Sequence, residues 1–158
     1  MNRRMIATVC CLIVAGSLVA FGAFSQVPNN SQRTAMHLPG TNPQLPFSDA
    51  ILTGNTMYLA GRIGLDPKTG QPPADVDAEI HLLLDSVKAT LAAGGMTMDD
   101  LVYVQVSCTD LSLFDKFNAT YRTYFIAKDL PAREFVGAAT LLRGGHFELQ
   151  SIAVRRGQ

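Results

Sequence analysis

The chain predicts an α+β domain in which two helices cover one face of a five- or six-stranded sheet. Three observations carry this. Strand-like and helix-like runs follow one another in the order β-β-α-β-α-β-β. Each helical run has one apolar stripe, so each helix has one face to bury. Two such helices can cover only one side of the sheet, which leaves apolar side chains on the other side and predicts self-association.

The elements follow in order. Asp49–Thr53 and Thr56–Gly61 read as a β-hairpin, with Gly54-Asn55 supplying the positive φ angles of a tight two-residue turn. Asp66 to Pro73 is turn-rich, and Lys68-Thr69-Gly70 is a tight turn without the spacing of a phosphate loop. Ile80, Leu83, Leu84, Val87 and Leu91 recur at helical spacing over Asp75–Ala93. Asp75 and Asp77 favour the helix start, and Gly94-Gly95 ends it. Leu101–Thr109 alternates as a strand, with Val102, Val104, Val106 and Cys108 on one side. Asp110 or Ser112 caps a second helix whose stripe is Phe114, Phe117, Tyr121 and Phe125. Pro131 closes that region. Arg133–Ala138 and Phe147–Val154 are the last two strands, joined through Arg143-Gly144-Gly145.

Arg3 and Arg4 precede an apolar run from Met5 to Phe24, and Ala23-Phe24-Ser25 fits a small-x-small cleavage site. Residues 1–25 therefore read as a signal peptide, and the protein as exported to a periplasm or secreted, with no membrane contact after cleavage. The alternative is an uncleaved N-terminal anchor, since about 20 apolar residues can span a bilayer. Gln26 to about Pro46 carries Pro28, Pro39, Pro43 and Pro46, so residues 26–45 read as a flexible linker or arm ahead of a domain over 46–156. Removing Arg3 and Arg4 leaves 11 basic residues against 13 acidic ones, a net charge of −2 with no basic stripe. Nucleic-acid binding is not expected. Cys10 and Cys11 leave with the signal, so Cys108 cannot form an intrachain disulfide. His37, His81 and His146 have no metal-ligand spacing, and no metal is expected.

Two charges stand out. Arg133 lies at the mouth of an apolar strand and Glu148 inside another. Burying an unpaired charge is costly, so the two should meet each other, a ligand or a neighbouring subunit. Pro131-Ala132-Arg133, Glu148, Phe117-Asn118-Ala119-Thr120-Tyr121 and Leu65-Asp66-Pro67-Lys68-Thr69-Gly70 together make the chain resemble the RidA/YjgF family of reactive-intermediate (imine/enamine) deaminases. The resemblance runs from about Leu45 to Val154.

The resemblance implies a chorismate-mutase-like mixed sheet with two helices on one face, assembled as a homotrimer with ligand pockets between subunits. It implies an enzyme of the 2-iminobutanoate/2-iminopropanoate deaminase type, which needs no cofactor and turns 2-imino or 2-enamino acids into 2-oxo acids and ammonia. Arg133 would grip the substrate carboxylate, and Glu148 would position the attacking water. Asn118, Gly61, Phe47 and Phe135 would line the substrate site. Each residue has a plainer reading. Arg133 can pair with Glu134, Glu148 or Asp129, Glu148 can face solvent, and Asn118 can bond water on a helix surface.

The chain also departs from the family pattern. Phe47 replaces a tyrosine in Leu45-Pro46-Phe47-Ser48, Ala60 a serine, Arg62 a glutamine and Phe135 a cysteine, while Gln150 stands where many relatives carry a second glutamate. The pocket should be more apolar and could gain a positive charge from Arg62. These changes keep a second expectation open, a non-catalytic trimeric protein that binds small carboxylates on the same scaffold. A ribonuclease is not expected, because the chain has neither a basic groove nor a histidine pair.

Overall fold

The computed structural model describes residues 32–126 and 128–156; the expected signal segment lies outside the described residues. Six strands form one mixed sheet in the order β1-β2-β3-β6-β4-β5. They are β1 (Arg33–Met36), β2 (Ala50–Thr53), β3 (Thr56–Ile63), β4 (Leu101–Cys108), β5 (Ala132–Gly137) and β6 (Phe147–Val154). Only β4 and β5 pair in parallel; the other neighbours are antiparallel. The crossover between β4 and β5 carries α2 (Phe114–Arg122), and α1 (Val76–Ala93) connects β3 to β4.

The helices lie on one face, as the amphipathic stripes require. On α1, Ile80, Leu83, Leu84, Val87 and Leu91 are all fully buried. The Asp75 carboxylate caps this helix by accepting from the Asp77 amide, which satisfies one of its orphan donors. Phe117 and Tyr121 of α2 pack inward, and Phe117 packs at a tilt against Phe147 of β6, 5.0 Å between centroids. Val104, Val106, Cys108, Leu149 and Ala153 rise from the sheet to meet them. On the opposite sheet face Tyr58 and Val154 stand exposed. No element of the described chain covers that face.

Four differences from the sequence reading have local causes. The segment expected to be an arm contains β1, whose Arg33–Met36 pairs with Ala50–Thr53. Strand pairing supplies backbone hydrogen bonds that the short, weakly patterned run Arg-Thr-Ala-Met does not announce. In the hairpin only Gly54 has positive φ, at 56°. That suits a turn with glycine at its first central position, so Asn55 is not asked to adopt it. Val102 is exposed, because a bulge between Leu101 and Tyr103 turns Leu101 inward in its place. The stripe of the second helix is shorter than expected: α2 stops at Arg122, and Phe114 is exposed at its start.

Arg62 also falls elsewhere than expected. It pairs with Leu149 on the helix-covered side, and its guanidinium bonds Asp49 at 2.7 Å and Thr90 Oγ1 of α1 at 3.2 Å. It adds no free charge to a pocket. Asp49 also accepts from the Leu38 amide at 2.6 Å and the Thr41 hydroxyl at 2.7 Å, which ties the loop after β1 to the sheet. Burial pushes the Asp49 carboxyl up, but these hydrogen bonds and the Arg62 charge outweigh it and hold it below its ordinary value. A carboxyl depressed on folding stabilises the fold above the unfolded value, near pH 4, and that stability is lost as pH falls through the folded value. Thermal unfolding followed between pH 2.5 and 6 should show this acid limb, and Asp49→Asn should flatten it. An unchanged pH slope in the variant would remove Asp49 from the account.

Candidate active site

The site begins at an irregularity in β3. Leu59 pairs with Ser151 and Arg62 with Leu149, so Ala60 and Gly61 together oppose Gln150. This β-bulge bends the strand and turns local groups toward the uncovered face, a role bulges often play beside active sites. Glu148 follows Phe147 in β6, pairs with Ile63 and Ser107, and points to that same uncovered face. Its carboxylate lies against the Gly61 backbone, where a Cβ would collide with Oε1. Glu148 is half-buried, and among the described residues its carboxylate has no hydrogen-bond or ion-pair partner.

Gly61→Ala tests this contact. The methyl group must push the Glu148 carboxylate aside while the fold stays intact. Small displacements of a reacting group are costly, so turnover should fall about tenfold with an unchanged circular dichroism spectrum. Equal turnover would mean that the carboxylate does not act from this position.

Glu148 is positioned from below. Glu79 of α1 is fully buried, and its carboxylate accepts from the His146 amide at 2.6 Å and the Phe147 amide at 3.2 Å. It also lies 2.7 Å from His146 Nδ1. These contacts fix the first residues of β6 against the helix.

A cavity of about 510 Å³ opens on the same face beside Ala60. Phe47, Tyr58 and Ile51 line it, with Arg33 and His37 also contributing. Phe47 thus shares a cavity with Ala60, the chain neighbour of Gly61.

Arg133 lies elsewhere. It is paired with the buried Val104 and projects to the helix-covered side, at the edge strand β5. Arg133 and Glu148 are therefore on opposite faces and two strands apart, and they do not pair within one chain. The guanidinium donates to Asn118 Oδ1 at 2.6 Å. Its Cζ stands 4.9 Å from the Tyr121 ring, 5.6 Å from Phe135 and 5.7 Å from Phe114. Aromatic faces attract a cation and hold its plane while leaving its outer N–H groups free. Burial draws the Arg133 guanidinium below its ordinary value. No carboxylate compensates it among the described residues, because Glu134 accepts from the Tyr103 hydroxyl instead. A cavity of about 230 Å³ lies beside it, lined by Asn118, Tyr121, Leu130 and Pro131.

Of the expected site residues, Arg133, Asn118 and Phe135 gather on one side, and Glu148, Gly61 and Phe47 on the other. Asn118 accepts from Arg133 through Oδ1, which leaves its Nδ2 hydrogens to donate. Phe135 packs edge-on against Phe114 and Phe117 and forms part of the cage around Arg133. Tyr121 is buried in the core, as its place in the stripe predicts; it is also the nearest ring to Arg133, and its hydroxyl has no partner among the described residues. Burial pushes that hydroxyl up to about 12, so it stays protonated. The helical spacing from Asn118 to Tyr121 is the signal that could have joined it to the site. No group of three or more His, Cys, Asp or Glu that could hold a metal occurs among the described residues.

The family model described as Endoribonuclease L-PSP matches residues 39–155. The chain belongs to the RidA/YjgF family. It is 39% identical over 113 residues to the 2-iminobutanoate/2-iminopropanoate deaminase of Escherichia coli strain K12, covering 70% of this chain and 88% of the relative. Among solved structures, the YjgF gene product of E. coli matches at 37% identity and a TM-score of 0.66, covering 77% of this chain and 94% of that one. RidA from the Antarctic bacterium Psychrobacter sp. PAMC 21119 matches at 33% identity, also with a TM-score of 0.66 and the same coverage. These likenesses fix the RidA-like fold, a mixed sheet with two helices. The match begins at residue 39, so β1 precedes the family model.

Proposed function

We propose that the protein is a hydrolytic deaminase of 2-imino and 2-enamino acids, acting as a homotrimer whose sites form between subunits. The observation that carries this reading is Arg133: a half-buried guanidinium, held in plane by Asn118 and an aromatic cage, with no carboxylate of its own. Such a fork matches a substrate carboxylate bidentately. The name of the E. coli relative supports the same chemistry.

Glu148 supplies the other half. Its free carboxylate can accept a hydrogen bond from water and draw off a proton as the water adds to the imine carbon. The resulting carbinolamine then breaks its C–N bond. One imino acid and one water give one 2-oxo acid and one ammonia. Since Arg133 and Glu148 face opposite ways, one copy's Arg133 would meet a neighbour's Glu148. The uncovered sheet face, with Tyr58 and Val154 exposed, supports that assembly.

The segment with Arg3-Arg4, the apolar run to Phe24 and Ala23-Phe24-Ser25 supports an exported protein. A second reading, a trimeric carboxylate-binding protein without turnover, is favoured by the apolar residues Phe47, Ala60 and Phe135 at polar family positions. An ammonia-release assay on 2-aminoacrylate and bulkier imino acids decides between the two, with acceleration over buffer expected. Light scattering should give a trimer that dissociates on dilution. A stable monomer at micromolar concentration would refute the shared site.

A further inference from the structure

We propose that the pocket on the uncovered face selects imino acids with a large aromatic or branched apolar side chain and turns away cationic ones; this rests on the deaminase reading above. The pocket is an open groove of about 510 Å³, inside the roughly 300–1,000 Å³ of small-molecule sites. Ile51 and Tyr58, a cross-strand pair, form its floor, and Phe47 joins them in its lining. Phe47 is 52% exposed and Tyr58 49%, so two aromatic rings lie open to whatever enters.

Ala60 connects this pocket to the reacting centre. It lines the pocket, and its chain neighbour Gly61 lies against the Glu148 carboxylate. A substrate whose imine carbon sits at Glu148 therefore reaches the pocket one residue back along β3, at Ala60. A methyl or ethyl side chain leaves most of that volume unfilled. A phenyl or isobutyl group covers the exposed rings and is removed from water.

The charges at the pocket refine the selection. Arg33 and His37 line it, and no Asp or Glu does. Among the described residues the side chain of neither Arg33 nor His37 has an ion-pair or hydrogen-bond partner. A guanidinium or ammonium on the substrate would meet the uncompensated like charge of Arg33 there. Arg33 and His37 lie before residue 39, so both are outside the stretch that the family model matches.

The test uses imino acids generated in the cuvette by amino-acid oxidases from phenylalanine, leucine, alanine and arginine. kcat/KM for the phenylalanine and leucine imines should exceed that for the alanine imine by about tenfold or more. The arginine imine should fall below the alanine imine. In Phe47→Ala the phenylalanine-to-alanine ratio should drop about tenfold, and Arg33→Glu should raise the arginine imine relative to alanine. A wild-type phenylalanine-to-alanine ratio at or below one overturns the proposal. If no imine is turned over, the deaminase reading falls, and calorimetry with phenylpyruvate and pyruvate decides the pocket separately. At least about tenfold tighter binding of phenylpyruvate supports the selection, and equal affinity refutes it.

Discussion

Glu148→Gln should leave the fold and ligand affinity in place while ammonia release falls by about 10²–10⁴-fold, the range for losing a positioned proton acceptor. The amide keeps the length and one acceptor of the side chain, so it can still rest beside Gly61. It cannot take a proton from water. Glu148 has no partner among the described residues, so no ion pair is broken and no buried countercharge is stranded. That separates the expected loss from a stability effect. Single-turnover kinetics on 2-aminoacrylate would place the loss in the chemical step. Undiminished turnover in the variant would assign water activation to another group. In a protein that only binds carboxylates, the substitution would change nothing measurable.

Arg133→Ala is expected to lower kcat/KM by about 10²-fold or more, through loss of both the charge-assisted grip and the orientation it gives. Its cage is built from residues that already pack with one another. Phe117 stacks on Tyr121 at 5.7 Å and meets Phe135 edge-on at 5.6 Å, so removing the guanidinium leaves the rings supported. Arg133→Lys should recover little, because an ammonium cannot present two parallel N–H groups to a carboxylate or lie flat on Tyr121. Calorimetry with pyruvate and 2-oxobutyrate reads the binding part. Equal affinity in wild type and Arg133→Ala would return Arg133 to a purely structural role. Asn118→Ala offers a finer reading, since it frees the guanidinium rotamer without removing the charge.

How much of this was legible depends on whether the signal is local. The stripe of α1 is legible because every residue in it faces the same core, and all five expected positions are fully buried. The Asp75 cap and the Gly94-Gly95 stop are legible for the same reason. Strand faces are a different matter. Side-chain alternation gives the two sides of one strand but not which side matches a neighbour's, because register decides that. Arg133 and Glu148 therefore looked like partners in the sequence and stand on opposite faces in the fold. The two bulges are equally hidden: one turns Val102 outward, and the other places both Ala60 and Gly61 opposite a single residue. Arg62 shows the consequence, since the irregularity beside it decides that it meets Asp49 rather than a pocket. The aromatic cage was visible only as a stripe; what it surrounds comes from a strand eleven residues beyond Tyr121.

The buried Glu79 clasp sets a condition on any attempt to move this chemistry to another scaffold. Glu148 owes its place to the first residues of β6, and those are held by a carboxylate on the far side of the sheet. A transplant that copied only the residues facing the substrate would carry the acid without its mooring. The smallest portable unit is a helix turn, the His146-Phe147 corner and the bulged strand together, which makes this site a property of the sheet's full thickness.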